Sequence, residues 1–422
     1  MKLLVVTNLF FPDRGGGASV FSDMCYGLAE RGHDVTVYAA YPYYPEWKNK
    51  SHANPWRTVD ESIQNVSVRR FGMYIPSTPS KLTQRILYEL SFMLSLLRSL
   101  FYFRRFDAVM VYCPLMGAVA YAGVRKVFYR EPVWVNVQDI PADAAAASGI
   151  SRGKYAKSLG QWVQRFLFNR ADVWSTIAPK MADRLAELRN RNQPVVFLPN
   201  FLNRSMEEAI LQHPSKVGRP ASQPPKFLYA GNIGKKQGLL EFCEELQKSS
   251  LPFRFRIHGN GGEAESVRQW VETTGDPRFE FGEFLDEQGF VSALIDADLF
   301  VITEKPGVGA SFIPSKLIPC IATGTPVLAV CDAQGPLGQE INAHGLGATV
   351  DWSVIGDLWP RIAEILESPE KLRGYQQRAV DRSQSYARIP IIEAVEREFA
   401  RFLPVPDSSP EIDSPLSTSQ TL

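Results

Sequence analysis

Three stretches of this chain carry residue types at spacings suited to holding an anion. The first runs from Val308 to Val330, VGASFIPSKLIPCIATGTPVLAV. Its small residues and proline (Gly309, Ala310, Ser311, Pro314) leave backbone N–H groups free where a helix is expected to begin, and such a start attracts anions. Lys316 falls in the expected opening turn. A cation there opposes the helix macrodipole, so it serves either a phosphate or plain solvent exposure. The second stretch is Gly231-Asn-Ile-Gly-Lys-Lys-Gln-Gly238, a glycine loop with lysines between an apolar strand and a helix. Lys236, close to that helix start, is a good phosphate ligand, with Gly231 and Asn232 beside it. The third is Gly15-Gly16-Gly17, where glycines let the backbone approach a phosphate or a sugar hydroxyl. Its spacing does not match GxGxxG, which argues against a dinucleotide site.

A fourth group is polar rather than cationic. Val133-Trp-Val-Asn-Val-Gln-Asp139 reads as a buried strand ending in a polar pair. Ligands of α/β sheets bind outside the carboxyl ends of strands, so Gln138, Asp139 and Asp143 are expected at the mouth of a site. Asp139 there serves as a base, a hydroxyl ligand, or the N-cap of the alanine-rich helix that follows. Gly259-Asn260-Gly261-Gly262 closes another strand, Phe253 to His258. The proline- and aromatic-rich residues 42–80, including Tyr44 and Trp47, read as a long loop with a short strand at Val66 to Phe71. Its rings suit a sugar face, a lipid interface or their own mutual packing.

The elements that must position these residues repeat. Lys2-Leu-Leu-Val-Val-Thr is a continuous apolar strand, followed by the triple-glycine loop, a helix from Ser19 to Arg31 and a strand at Val35. Lys226-Phe-Leu-Tyr-Ala, the lysine loop and another helix repeat that order in the second half. Between the halves, Pro214 to Pro225 holds four prolines in a polar stretch, the best linker candidate. The sequence therefore predicts an α/β protein with two doubly wound, Rossmann-like domains: residues 1–205, a linker at 206–225, and 226–385. A C-terminal helix at 386–402 is expected to pack back on the first domain, and the proline-rich 404–422 reads as a disordered tail. Leu82 to Phe103 reads as one helix, apolar except for a narrow stripe of Arg85, Glu89, Ser95 and Ser99. Glu89 and Arg98 inside the run argue against a membrane span, leaving an internal helix or one resting on a lipid surface.

Composition bounds the rest. At 422 residues with 45% hydrophobic and 22% charged residues, the chain has the make-up of a soluble globular enzyme of two domains. The net charge of +1 hides an asymmetry. Residues 1–200 hold 25 Lys and Arg against 15 Asp and Glu, or +10, and the remainder holds 21 against 30, or −9. A basic half suggests a face toward something anionic, such as a membrane surface or a phosphorylated lipid. Five scattered cysteines without CxxC spacing support neither a disulfide framework nor a zinc site and suit a cytoplasmic protein. The apolar run Leu3 to Phe11 is too short and interrupted for a signal peptide.

The order of FFPDRGGGASVFSDMCYGLAERGHDVTVY, YPYYPEW, QDIPADAAAASG, YAGNIGKKQGLLEF, GNGG and PSKLIPCIATGTPVLAV resembles the retaining GT-B glycosyltransferases of family four over residues 1 to about 400. YPYYPEW and GNIGKKQG look like the branch that builds exopolysaccharides and O-antigens, similar to colanic acid and N-acetylfucosamine transferases. The resemblance implies a nucleotide sugar such as a UDP-sugar in the second domain, a lipid-linked or oligosaccharide acceptor in the first, and work at the inner membrane face without metal, cofactor or nucleic acid. It places Lys236 at the family's phosphate lysine, with Gly16, Gly17, Gly231, Asn232, Gly259, Asn260, Gly261, Gly309, Ala310 and Ser311 on the donor side. Gly15, Tyr44, Trp47, Gln138 and Asp143 fall on the acceptor side, and Asp139 takes the catalytic position in place of an absent histidine. The family's two glutamates should fall at Ser311 and Pro319; both are missing, so Lys316 is expected to supply charge and Glu340 to bind ribose. A nucleotide-sugar 2-epimerase and a non-catalytic sugar-nucleotide-binding subunit share the architecture.

Overall fold

Lys2–Thr7 is β1, buried along all but its first residue, and the first sheet grows outward from it on both sides. The computed structural model describes residues 1–13, 15, 17–51, 56–78, 81–140, 154–307 and 313–403, with 154–157 described as backbone only. Gly16, Asp143, Gly309, Ala310, Ser311 and the expected tail at 404–422 lie outside the described residues.

In chain order the first unit contains β1, α1 (Ala18–Glu30), β2 (Asp34–Ala40), β3 (Val59–Ile63), β4 (Val66–Phe71), α2 (Leu82–Leu97), β5 (Ala108–Cys113), α3 (Met116–Tyr129), β6 (Val133–Val137), α4 (Lys154–Phe168), β7 (Val173–Thr176), α5 (Pro179–Leu188) and β8 (Val195–Phe197). Its strands run in the order β3-β4-β2-β1-β5-β6-β7-β8. All pairs are parallel except β3 with β4, a hairpin the sequence reading missed. Parallel strands covered on both faces are almost continuously apolar, which is why β1, β5 and β6 were legible as buried strands. Helices that advance the sheet toward β8 lie on one face, and α1, which runs the other way, lies opposite, as right-handed crossovers require.

The second unit contains β9 (Lys226–Asn232), α7 (Leu239–Gln247), β10 (Arg254–Asn260), α8 (Ala264–Thr274), β11 (Phe279–Gly282), α9 (Glu287–Asp296), β12 (Leu299–Thr303), α10 (Leu317–Ala322), β13 (Val327–Val330), α11 (Pro336–His344), β14 (Gly347–Val350), α12 (Leu358–Leu366) and α13 (Pro369–Ser383). The order β11-β10-β9-β12-β13-β14 is parallel throughout. Helix α6 (Arg204–Leu211) precedes it and lies against α9, so the expected linker opens with a docked helix. Further along that stretch, the buried Lys216 ammonium donates to the carbonyls of Leu294 and Ala297 and to Thr325 Oγ1. The prolines punctuate a segment fastened to the second unit by hydrogen bonds.

The expected extent of the long apolar helix needs correction. It stops at Leu97, continues as a 3-10 turn over Arg98–Tyr102, and ends at Phe103 in the left-handed region, φ 51°. Its polar stripe faces the protein, not solvent. Ser95 and Ser99 are buried, Ser99 Oγ lies 2.6 Å from Tyr121 Oη, and Glu89 accepts the Gly117 amide at 2.9 Å. The exposed face is apolar instead: Ile86, Leu87, Leu90 and Leu94.

Helix α14 (Arg388–Phe402) returns to the first unit, where Ile391, Ile392, Val395 and Phe399 join its core. Phe399 meets Trp134 at 4.8 Å between ring centroids. The chain therefore crosses between units near residue 204 and again near 388, and both crossings converge on Asp23 of α1. Asp23 accepts the Arg204 amide at 2.9 Å and the Arg388 Nε at 2.9 Å from both carboxylate oxygens. Both side chains of that pair are buried, so removing the cation strands an uncompensated charge. Replacement Arg388→Ala is expected to destabilise the first unit by about 3 kcal/mol, read as a lowered midpoint in denaturant melts.

Candidate active site

One cavity of about 600 Å³ lies where the two sheets face each other, and its walls are the carboxyl ends of strands from both units. In the first unit β1 delivers Asn8 and Leu9, the following loop Gly15 and Gly17, β2 the Tyr43, Tyr44 and Trp47 loop, and β6 Gln138 and Asp139. The second unit supplies Ala230 and Gly231 after β9, His258 on β10, and Ile313, Ser315 and Lys316 before α10. Parallel strands present their open carboxyl ends to ligands, and here two such edges share one space.

The first-unit wall is rigid. Asn8 Nδ2 donates to the hydroxyls of Tyr43 and Tyr88, each at 2.7 Å, and those hydroxyls lie 2.6 Å apart. Tyr43, Tyr44, Trp47 and Tyr88 contact one another edge to face or tilted, at 5.6–6.5 Å between centroids. Asp13 holds this loop against the glycine loop: its Oδ1 accepts the amides of Tyr43 and Tyr44 at 2.8 and 2.9 Å. Burial pushes the Asp13 carboxyl up to about 6, against the pull of those two amides and of Lys50. Gly15 and Gly17 both have positive φ, and a Cβ on Gly17 would stand 2.6 Å from the Phe21 ring, so glycine is required at the start of α1.

Gln138 is fixed at both ends of its amide. It donates to Asn136 Oδ1 at 2.6 Å and accepts from Asn200 Nδ2 at 3.0 Å, while Asn136 reaches Ser175 at 3.0 Å. Asp139, next in the chain, is half-buried on the cavity wall.

In the second unit the ammonium of Lys316 lies 4.2 Å from the Tyr229 ring centroid, with its stem beside Gly231. Burial lowers Lys316 to about 8, with Glu304 acting against the shift. Burial raises Glu304 to about 7, with Lys316 acting against it. Helix α10 is only six residues long and begins after Lys316, which is its N-cap. The expected long helix dipole is absent, and the cationic character here belongs to the lysine side chain.

Several expected donor ligands stand elsewhere. Glu340 is withdrawn: it accepts Arg382 Nε at 2.6 Å and the Tyr386 hydroxyl at 2.9 Å, an arrangement tying α11 to α13 rather than facing a ligand. Lys236, half-buried, sits in the turn before α7, and its carbonyl accepts the Lys305 amide at 2.8 Å. Neither it nor the exposed Asn232 lines the cavity. Gly259, Asn260 and Gly261 form a shelf under the lysine loop. The Ile233 amide donates to the Asn260 carbonyl at 2.9 Å, and a Cβ on Gly259 would lie 2.1 Å from the Gly231 carbonyl. These glycines are required because two backbones touch, not because a ligand does.

Residues that sequence reading missed on the wall include Asn8, Arg85, Asn200, Glu287 and His258. His258 Nδ1 lies 3.0 Å from the Glu283 carbonyl, which orients the ring. The strand-end rule that found Asp139 applies equally to Asn8 and His258; Arg85 was visible in the polar stripe. Among the described residues, no group of three or more His, Cys, Asp or Glu side chains is placed to hold a metal ion.

Comparison with known proteins decides what kind of enzyme this is. A sucrose-phosphate synthase from Thermosynechococcus elongatus superposes with a TM-score of 0.70 at 14% identity, covering 95% of this chain and 99% of that one. The Anabaena protein Alr3699/HepE, solved with UDP and glucose, gives a TM-score of 0.65 at 14% identity, covering 95% and 99%. Residues 15–200 match the glycosyl transferase 4-like domain. The colanic acid biosynthesis glycosyl transferase WcaI of Escherichia coli (strain K12) is 28% identical over 400 residues, 90% of this chain and 97% of WcaI. The chain is a glycosyltransferase of the GT-B fold. In this transferase Gly259 is a positioning residue for Gly231, so Gly259→Ala should displace the β9 loop and destabilise the second unit by about 1–3 kcal/mol, read as a lowered midpoint in denaturant melts.

Proposed function

We propose that this transferase moves a sugar, with retention at its anomeric carbon, from a UDP-type donor held by the second unit to a lipid-linked glycan acceptor held by the first, in surface polysaccharide synthesis. The observation that carries the reading is a cavity joining both sets of strand ends, with Lys316 beside Gly231 on one wall and aromatic rings with the Asp139 carboxylate on the other. Departure of a nucleoside diphosphate needs charge stabilisation at the leaving oxygens. We assign that to Lys316 on the wall; Lys236, in the β9–α7 turn, lies outside the cavity lining. On the opposite wall, Asp139 takes the proton from the acceptor hydroxyl or stabilises the oxocarbenium-like sugar, while Gln138 orients a sugar hydroxyl and the Tyr44 and Trp47 rings receive an apolar sugar face. The Anabaena relative solved with UDP and glucose supports the donor class, and the colanic acid relatives support the acceptor class.

The lipid part of this reading rests on the outer surface of α2, α3 and α4. Packing places α3 against both neighbours. Beside the exposed leucines of α2 stand Phe128 at the end of α3 and Leu159, Trp162 and Phe166 along α4, with Trp162 62% exposed. Arg104, Arg105, Arg130, Arg165 and Arg170 are exposed around this apolar surface. Exposed apolar residues rimmed by cations suit the interface of an anionic bilayer, where each basic residue contributes about 1 kcal/mol. Among the described residues no helix is long and apolar enough to cross a membrane, so the surface would rest on the bilayer rather than span it.

Three results are expected. Asp139→Asn lowers transfer by about 100-fold or more while UDP binding in calorimetry stays unchanged. Lys316 loses its proton as pH rises through about 8, so UDP affinity falls between pH 7 and 9 in the parent; in Lys316→Arg, which stays charged, affinity is flat over that interval. The double variant Leu90→Asp/Trp162→Asp no longer floats with phosphatidylglycerol vesicles yet binds UDP as the parent does. A donor titration insensitive to both Lys316→Ala and pH would remove Lys316 from the donor site.

A further inference from the structure

Arg85 sits at the one place where the apolar outer surface and the cavity share an element. It lies one turn into α2, half-buried, and lines the cavity together with Tyr88. Its sequence neighbours Ile86 and Leu87, and Leu90 a turn later, are exposed on the other side of the same helix. Helix α2 is therefore a wall with a hydrocarbon-compatible face outside and a polar, aromatic pocket inside.

The charge of Arg85 acts on the buried Glu89, whose carboxyl burial raises to about 7 against the pull of the Gly117 amide and of Arg85. Glu89, four residues on, is engaged at the start of α3 through the Gly117 amide, and the nearest aromatic contact is the Tyr88 ring, 5.9 Å from the guanidinium. The first turn of α2 carries no acidic residue, and a cation near that end opposes the helix dipole. An arginine held against the dipole and lining a cavity fits an anion that arrives with the substrate. A guanidinium fork matches phosphate oxygens two at a time.

We propose that Arg85 binds the phosphate groups of a prenyl-diphosphate-linked acceptor, the prenyl chain lying along the exposed face of α2 and the sugar entering the cavity. This rests on the lipid-linked reading above and adds the residue that selects the acceptor's charged linker. Arg85 would then fix how far the acceptor sugar reaches toward Asp139, because the linker is the part of the acceptor that passes the end of α2.

The test is calorimetric titration of the full chain, saturated with UDP so that the donor half is filled, using farnesyl diphosphate, farnesol and inorganic pyrophosphate as separate probes. The expected result is that the parent binds farnesyl diphosphate at least tenfold more tightly than either farnesol or pyrophosphate. Arg85→Gln loses that preference, Arg85→Lys keeps part of it, and UDP affinity is unchanged in both. Equal binding of farnesyl diphosphate by the parent and Arg85→Gln would overturn the proposal. Pyrophosphate binding as tightly as farnesyl diphosphate, with the same dependence on Arg85, would overturn its lipid component. Failure of the parent to float with neutral vesicles carrying prenyl diphosphate, while soluble farnesyl diphosphate still binds through Arg85, would remove the membrane from the account and uphold the phosphate site.

Discussion

Everything functional in this protein depends on two parallel sheets keeping their carboxyl ends opposed, and the chain secures that at one buried carboxylate. Asp23 holds the amide of Arg204 as the chain leaves the first unit and the guanidinium of Arg388 as it returns. Glu30, one helix turn and more along the exposed end of α1, adds ion pairs to both arginines. Ion pairs so placed contribute less to net stability than to geometry, since burial costs much of what attraction returns. Their effect is to fix where the two crossings sit. The Lys180 ammonium, which reaches the Gln334 carbonyl at 2.7 Å, and Asn203, which reaches Glu287 at 3.0 Å, add lighter contacts between the units.

The two walls carry different polar groups. The second unit is acidic overall, yet it places Lys316 where the cavity narrows toward Gly231, half-enclosed and facing the Tyr229 ring. A lysine in that setting gives up part of its hydration in advance, so an incoming diphosphate meets a cation that needs less desolvation than a surface lysine would. The first unit is basic overall and places Asp139 opposite, with Gln138 locked between Asn136 and Asn200.

Much of this was legible in the sequence, and the misses have physical causes. Continuous apolar strands, glycine loops after β1 and β9, and the return of the last helix all follow from short-range patterning, so the twin doubly wound fold could be read directly. Gly15, Gly17 and Gly231 were read as glycine loops, Tyr44 and Trp47 as rings suited to a sugar face, Lys316 as a cation at a helix start, and Gln138 and Asp139 by the strand-end rule; all eight line the cavity. Glu340 misled because a carboxylate near a helix start looks the same in sequence whether a ribose or Arg382 faces it. Gly259 and Gly261 misled because a backbone approached by another backbone and one approached by a ligand both demand glycine. The orientation of α2 was hidden for a different reason: the helix is apolar nearly all round, and only its packing shows that Tyr88, Phe92 and Leu96 are buried beside the polar stripe while Ile86, Leu87, Leu90 and Leu94 are left exposed.

The account stands on acceptor-dependent transfer across the cavity. Its most direct test is nucleoside diphosphate release by the purified chain from a panel of nucleotide sugars, with and without a prenyl-diphosphate-linked sugar in vesicles. The account predicts release with one donor class only when the acceptor is present, with the sugar recovered on the lipid. Release at the same rate without acceptor, accompanied by a free 2-epimer, would contradict it, as would binding of a nucleotide sugar with no turnover on any acceptor.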